Sequence, residues 1–191
     1  MRTRLVLATI GAALLAAPLA HAQTPAAPAA PAAPATPATP AAAATVPDAM
    51  PFDIPYGAPI SLDQAQKAIA AAAADATKRK WKMAITVVDP SGNLIAHATL
   101  DNTQYASIAI AQSKARTAAM LRRSTLLLAN AINGGSPATL SLLGLFAGAA
   151  SEGGLPIVVD GKLIGAIGVS GGTGGQDGVI AKVGLDALSA K

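Results

Sequence analysis

The sequence predicts an α/β fold of the α+β type, a mainly antiparallel sheet built from two hairpins and flanked by helices. Three observations carry this. Apolar runs at 83–88 and 94–100 are joined by Asp89-Pro90-Ser91-Gly92-Asn93, which is strong turn chemistry. A second pair, 156–159 and 162–169, is joined by Asp160-Gly161, a dipeptide that favours a tight hairpin. Helical patterns stand before, between and after the hairpins, an order that argues against a parallel sheet of strand–helix–strand units.

Residues 1–22 carry the three parts of a secretory signal. Arg2 and Arg4 form the basic end, Leu5 to Leu15 the apolar stretch, and Ala20-His21-Ala22 the cleavage site, so that Gln23 becomes the new N-terminus. The apolar stretch is short for a membrane span and is followed by Pro18. The expected product is periplasmic or secreted, with no membrane span after cleavage. Residues 23–60 are rich in Ala, Pro and Thr. Prolines recur at every third position from Pro25 to Pro40, the spacing of an extended, disordered tether.

The folded domain is expected over 61–191. Ser61 and Gln64 make a capping box, and Leu62, Ala65, Ile69 and Ala73 continue one apolar helical face. That helix ends near Lys78-Arg79-Lys80. After the first hairpin, 105–121 reads as a helix with Ile108, Ala111, Ala115 and Ala118 on one side, and 124–132 as another, stopped by Asn133-Gly134-Gly135. Residues 136–152 fit either helix or loop. Beyond the second hairpin a glycine-rich loop, 171–175, leads into a last helix over 176–188.

Composition narrows the function. The chain has no cysteine, which excludes disulfides, thiolate metal sites and thiol catalysis. With Arg2 and Arg4 in the leader, twelve basic and ten acidic residues leave a net charge of +2, too small a bias to argue for nucleic acid. Aromatics are 3% of the chain, so the core rests on Ala, Val, Ile and Leu. A core of this kind is small.

Three stretches stand out in the first half of the domain: Ala84-Ile-Thr-Val-Val-Asp89, Gly92-Asn-Leu-Ile-Ala96 and Ser107-Ile-Ala-Ile-Ala-Gln-Ser-Lys114-Ala115. Thr117-Ala-Ala119, Gly153-Gly-Leu-Pro156, Asp177 and, most specifically, Ile164-Gly-Ala-Ile-Gly-Val-Ser-Gly171 extend the pattern over about 61–190. In these residues the domain resembles the GlcG/HbpS-type heme-binding family, whose domain also ends PduO proteins. The resemblance implies helices flanking an antiparallel sheet, compact oligomers, and heme or iron binding. Together with the small core, it gives the expectation of a homo-oligomer. The chain departs from the family after the second strand, where Ala98-Thr-Leu-Asp101-Asn102 replaces an Arg-Met-Asp-Gly-like stretch.

Set against heme, the donors are few. His97 is the one histidine outside the leader, and a neutral imidazole ligates iron well. Strand alternation puts it on one face with Ile95 and Thr99; the competing reading is a histidine hydrogen-bonded on a half-buried sheet. Tyr105, Met83 and Met120 are further donors, with packing as the alternative for each methionine. Lys114 matches the family motif and is the expected propionate cation, ahead of Arg116, Arg122 and Arg123; the alternative is a solvated helical face or an interface ion pair. The stretch Gly168 to Gly175 lacks the Lys-Ser/Thr of a phosphate loop and follows a hairpin, so a tight strand-to-helix passage accounts for it better than a nucleotide site. Glu152 stands where it can place a carboxylate beside a cleft at that loop; the alternative is a solvated loop acid. Asp89 and Asp177 fit turn and helix-start chemistry better than acid–base work. The expectation is a non-enzymatic heme-binding protein for scavenging, storage or as accessory to an envelope sensor. The alternative is a small-molecule or heme-degrading enzyme.

Overall fold

The computed structural model describes residues 48–189. The expected export signal and most of the expected tether lie outside them. The elements run α1 (Leu62–Lys78), β1 (Ala84–Val88), β2 (Leu94–Thr99), α2 (Ala106–Leu121), α3 (Thr125–Asn133), α4 (Pro137–Gly144), β3 (Gly154–Val159), β4 (Lys162–Ser170) and α5 (Gly174–Ser189). The four strands form one sheet, ordered β2-β1-β4-β3, with every neighbouring pair antiparallel. The expected architecture is the one observed.

Local chemistry explains the element ends. Ser61 and Gln64 form the reciprocal capping box that starts α1. The helix closes in a Schellman motif: Trp81 N–H donates to the Ala76 carbonyl and Lys80 N–H to that of Thr77, with Lys80 itself left-handed at φ 60°. In the first hairpin Asp89 Oδ1 accepts from the backbone of Ser91 and Asn93 at 2.8 and 2.9 Å. Asp160 (φ 49°) and Gly161 (φ 73°) both take positive φ, as a type I′ turn requires. The ambiguous stretch resolves into α4, capped by Ser136 and opened by Pro137, followed by a loop to β3.

The two faces of the sheet are covered differently. On one, α1 and α5 pack on Ile85, Val87, Ile157, Ile167 and Val169, using Ala65, Ala68, Ile69, Ala72, Ala76, Ile180 and Ala181. Leu62, expected on this apolar face, is 53% exposed. On the other, α2 lies over β4, β1 and β3, with Ala115, Ala118 and Ala119 against Val88 and Ala166. Gly168 lets α2 approach, since a Cβ there would collide with the Ala111 carbonyl and the Ala115 backbone nitrogen. Edge strand β2 falls largely outside this cover: all five residues of β1 are buried, none of the six in β2 is.

The packed chain also begins earlier than Ser61. Ile60 is buried, and Gly57 and Ile60 donate backbone hydrogen bonds to Leu163 and Ile164 of β4. Arg122 Nη1 bonds the Ile54 carbonyl at 2.9 Å, and Arg123 stands over the Phe52 ring at 3.8 Å. Residues 52–60 are a strap on the domain, not a continuation of the tether.

Candidate functional site

The uncovered face of β2 carries His97. Its partners in register are Thr86↔His97, Ala84↔Thr99 and Val88↔Leu94, so His97, Thr99 and Leu94 share the α2 side of the sheet. Ile95, expected beside them, does not: the register shifts between Val87 and Val88, and Ile95 packs against the opposite core instead. His97 Nδ1 lies 2.7 Å from the hydroxyl of Thr86, which is fully buried, and Nε2 lies 2.7 Å from that of Thr99, which is exposed. Partial burial pushes the imidazole below its ordinary value of 6.5, so the ring is neutral at pH 7. One hydroxyl therefore anchors the ring from inside, and a replaceable one covers its outer nitrogen.

Lys114 is elsewhere. Its side chain is 1% exposed, and Nζ reaches Asp177 Oδ2 at 2.7 Å, the Glu152 carbonyl at 2.7 Å and the Val169 carbonyl at 3.0 Å. An ammonium has three protons, and these partners take all three. No donor remains for a propionate. The ion pair is internal, neither a solvated face nor an interface pair, and it ties α2 to α5 and the end of β4. Asp177 Oδ1 also accepts from Gly172 N–H at 3.0 Å. The glycine-rich passage thus receives carboxylates of the protein itself: the Glu152 side chain lies against Gly174 and Gly178, where a Cβ at Gly178 would strike it.

Of the remaining candidates, Met83 is fully buried in the core and Tyr105, before α2, is 92% exposed. Arg116 and Met120 lie on one stripe of α2 with Ala109 and Gln112. Ala109, Gln112 and Arg116 wall a cavity of about 280 Å³ whose floor includes Val88 and Leu94, while Met120 lines a separate one with Tyr56 and Pro90. Arg116 Nε lies 3.4 Å from Met120 Sδ, and among the described residues its guanidinium meets no carboxylate at ion-pair distance. At the other end of β2 a cavity of about 310 Å³ is lined by Lys80, Trp81, Lys82, Thr99, Leu100 and Asp101 among others. The sequence had marked Lys80 only as part of a helix end. Among the described residues no group of three or more His, Asp or Glu side chains stands ready to hold a metal ion.

Residues 60–186 match the family model described as "Haem degrading protein HbpS-like". Protein GlcG of Escherichia coli K12 is 41% identical over 113 residues, 58% of this chain and 81% of that protein. Among solved structures, a double mutant of HbpS from Streptomyces reticuli superposes with a TM-score of 0.64 at 28% identity, covering 77% of this chain and 98% of the other. A structure described as a PduOC:heme complex gives 0.63 at 25%, covering 68% and 94%. The match spans strap end to last helix, and the fold agrees with the solved relatives. The chain belongs to the HbpS-like family.

Proposed function

We propose that this domain binds heme reversibly without degrading it, with His97 as the axial iron ligand. One observation carries the reading: a neutral imidazole stands on the one strand that α2 leaves uncovered, with its inner nitrogen fixed by a buried hydroxyl. When Nδ1–H donates to Thr86, the lone pair of Nε2 points outward, toward Thr99 and solvent. Ligating histidines are oriented in this way, by a second hydrogen bond on the far nitrogen. Thr99 would give up its hydrogen bond to an iron at Nε2, and Leu94, which is exposed, would supply apolar surface farther along the same face. Heme supplies the iron chemistry; the protein holds the ring neutral and aimed. The reading also takes residues 1–22 as an export signal, the domain as a homo-oligomer, and storage, scavenging or service to an envelope sensor as its use.

A titration of the full chain with hemin tests this. The parent is expected to give a saturable Soret band with a low-spin spectrum, and His97→Ala is expected to lose the low-spin features. An unchanged spectrum in His97→Ala removes the axial role and passes it to Thr99 or Tyr105. The family's description gives the competing reading, heme degradation, its own signature. With ascorbate and oxygen a degrading enzyme bleaches the Soret band, whereas a carrier keeps it.

A further inference from the structure

The corner formed by Lys80, Trp81 and Lys82 has a chemistry that the fold alone does not require. Lys80 occupies the position after α1 where the chain must turn left-handed, at φ 60°. Glycine or asparagine is the usual residue there, because a Cβ is strained in that conformation. A lysine is held in it instead. The next residue, Trp81, is the one tryptophan of the chain; it is half-buried and has the Arg79 guanidinium 5.0 Å from its ring centre. Arg79 itself is paired with Asp75 at 2.6 Å.

Lys80 and Lys82 are exposed, and no carboxylate lies within ion-pair distance of either among the described residues. Both line the cavity of about 310 Å³ whose wall includes Thr99. Thr99 is also the residue whose hydroxyl lies 2.7 Å from His97 Nε2. Thr77 of α1 and Leu100 complete the wall, so the cavity wraps the end of β2 and meets the His97 side of the sheet through Thr99. Asp101 is the single acid on its wall, so two lysines leave it positive. Gly171 explains why this corner can form: a Cβ there would overlap the Lys82 carbonyl, so the glycine lets β4's end pass close behind it.

We propose that this pocket is an anion subsite that receives the carboxylates of the ligand held at His97, with Lys80 and Lys82 as the cations and the Trp81 ring as an apolar wall. The proposal rests on the heme reading and replaces Lys114, which is internally paired, by two cations that are free. Arg116, at the opposite end of β2, is the rival cation.

Hemin and hemin dimethyl ester, which lacks both free carboxylates, separate the two readings. The full chain is expected to bind hemin about three- to tenfold more tightly than the ester, and the preference is expected to shrink as salt is raised. Lys82→Gln and Lys80→Gly should each remove most of that preference while leaving ester affinity as in the parent. Lys80→Gly should also raise Tm by about 2–5 °C by relieving the left-handed strain. Loss of binding with gain of stability in one variant is what a merely structural lysine would not produce. Equal affinity of the parent for hemin and its ester overturns the subsite and leaves the heme reading standing. So does a preference that survives both lysine variants, or one that disappears only in Arg116→Gln. No Soret shift in the parent overturns the heme reading and the subsite together.

Discussion

The α1/α5 side of the sheet and the β2 edge are made from the same kinds of residue and do opposite things. On the α1/α5 side Ile85, Val87, Ile157, Ile167 and Val169 meet alanine-rich helices, and all five are buried. At the β2 edge a strand of similar composition stays half open, with its polar groups Thr99 and His97 facing out beside Leu94. The difference comes from cover, not from hydropathy. Helix α2 is held over β1, β4 and β3 by glycine and alanine contacts, and nothing comparable draws it over β2. Stability should then be concentrated in the covered part and ligand chemistry at the edge, and substitutions can be ranked by which part they strike.

The largest effect is expected at Lys114. Removing one member of a buried, hydrogen-bonded pair leaves the other charge without a partner, at a cost of about 3–5 kcal/mol. Lys114→Met should lower the unfolding free energy obtained from urea denaturation by that amount, and adding Asp177→Leu should recover most of it, because two apolar side chains strand no charge. If the double variant is no more stable than the single one, the ion pair is not the source of the loss. Heme binding at the edge should change little in any variant that still folds.

Next comes Gly168. A methyl group there meets the α2 backbone at Ala111 and Ala115, so Gly168→Ala must push helix and sheet apart. Overpacking of a close contact costs about 1–3 kcal/mol. A thermal melt unchanged from the parent would show that α2 is not seated as tightly as its small residues imply.

Much of this division was legible in the sequence, and its limits are physical. Turn residues with fixed conformational demands gave both hairpins, since Asp160-Gly161 and the Asp89 loop are local signals. The capping box gave the start of α1. Lys114 was marked through the family motif as a propionate cation, but its partner Asp177 is 63 residues away, and no local pattern announces such a pair. The strap escaped for a related reason. Its residues are bound by Arg122, Arg123 and the edge of β4, all distant in sequence, and its proline content matches the tether before it. The pocket at Lys80 was hidden because a lysine in left-handed backbone is invisible to composition. Ile95 was misplaced by a bulge, which shifts register by one residue and so moves a side chain to the other face.

The smallest effect, and the one that bears most directly on the edge, is the pH dependence of His97. Burial disfavours the charged ring, so its folded pKa lies below the ordinary 6.5. As pH falls, the unfolded chain takes up the proton first, and protonation draws the equilibrium toward it. Stability should therefore decline as pH drops below about 6.5 and level off once the folded value is passed. Asp89 does not confuse this window. Burial raises its pKa, but hydrogen bonds from Asn93, Ser91 and Gly92 outweigh that and hold it below 3.8, so its contribution is lost only in stronger acid. The other histidine, His21, lies in the predicted leader. Urea midpoints at pH 7, 6 and 5 should then show a shallow slope in the parent and none in His97→Gln. The same proton competes with iron for Nε2, so hemin affinity of the parent should fall over the same interval. A slope that persists in His97→Gln would assign the titration to another group. A hemin affinity flat from pH 7 to 5 would mean that the iron is not held by this imidazole, and the open edge of β2 would lose its place as the ligand site.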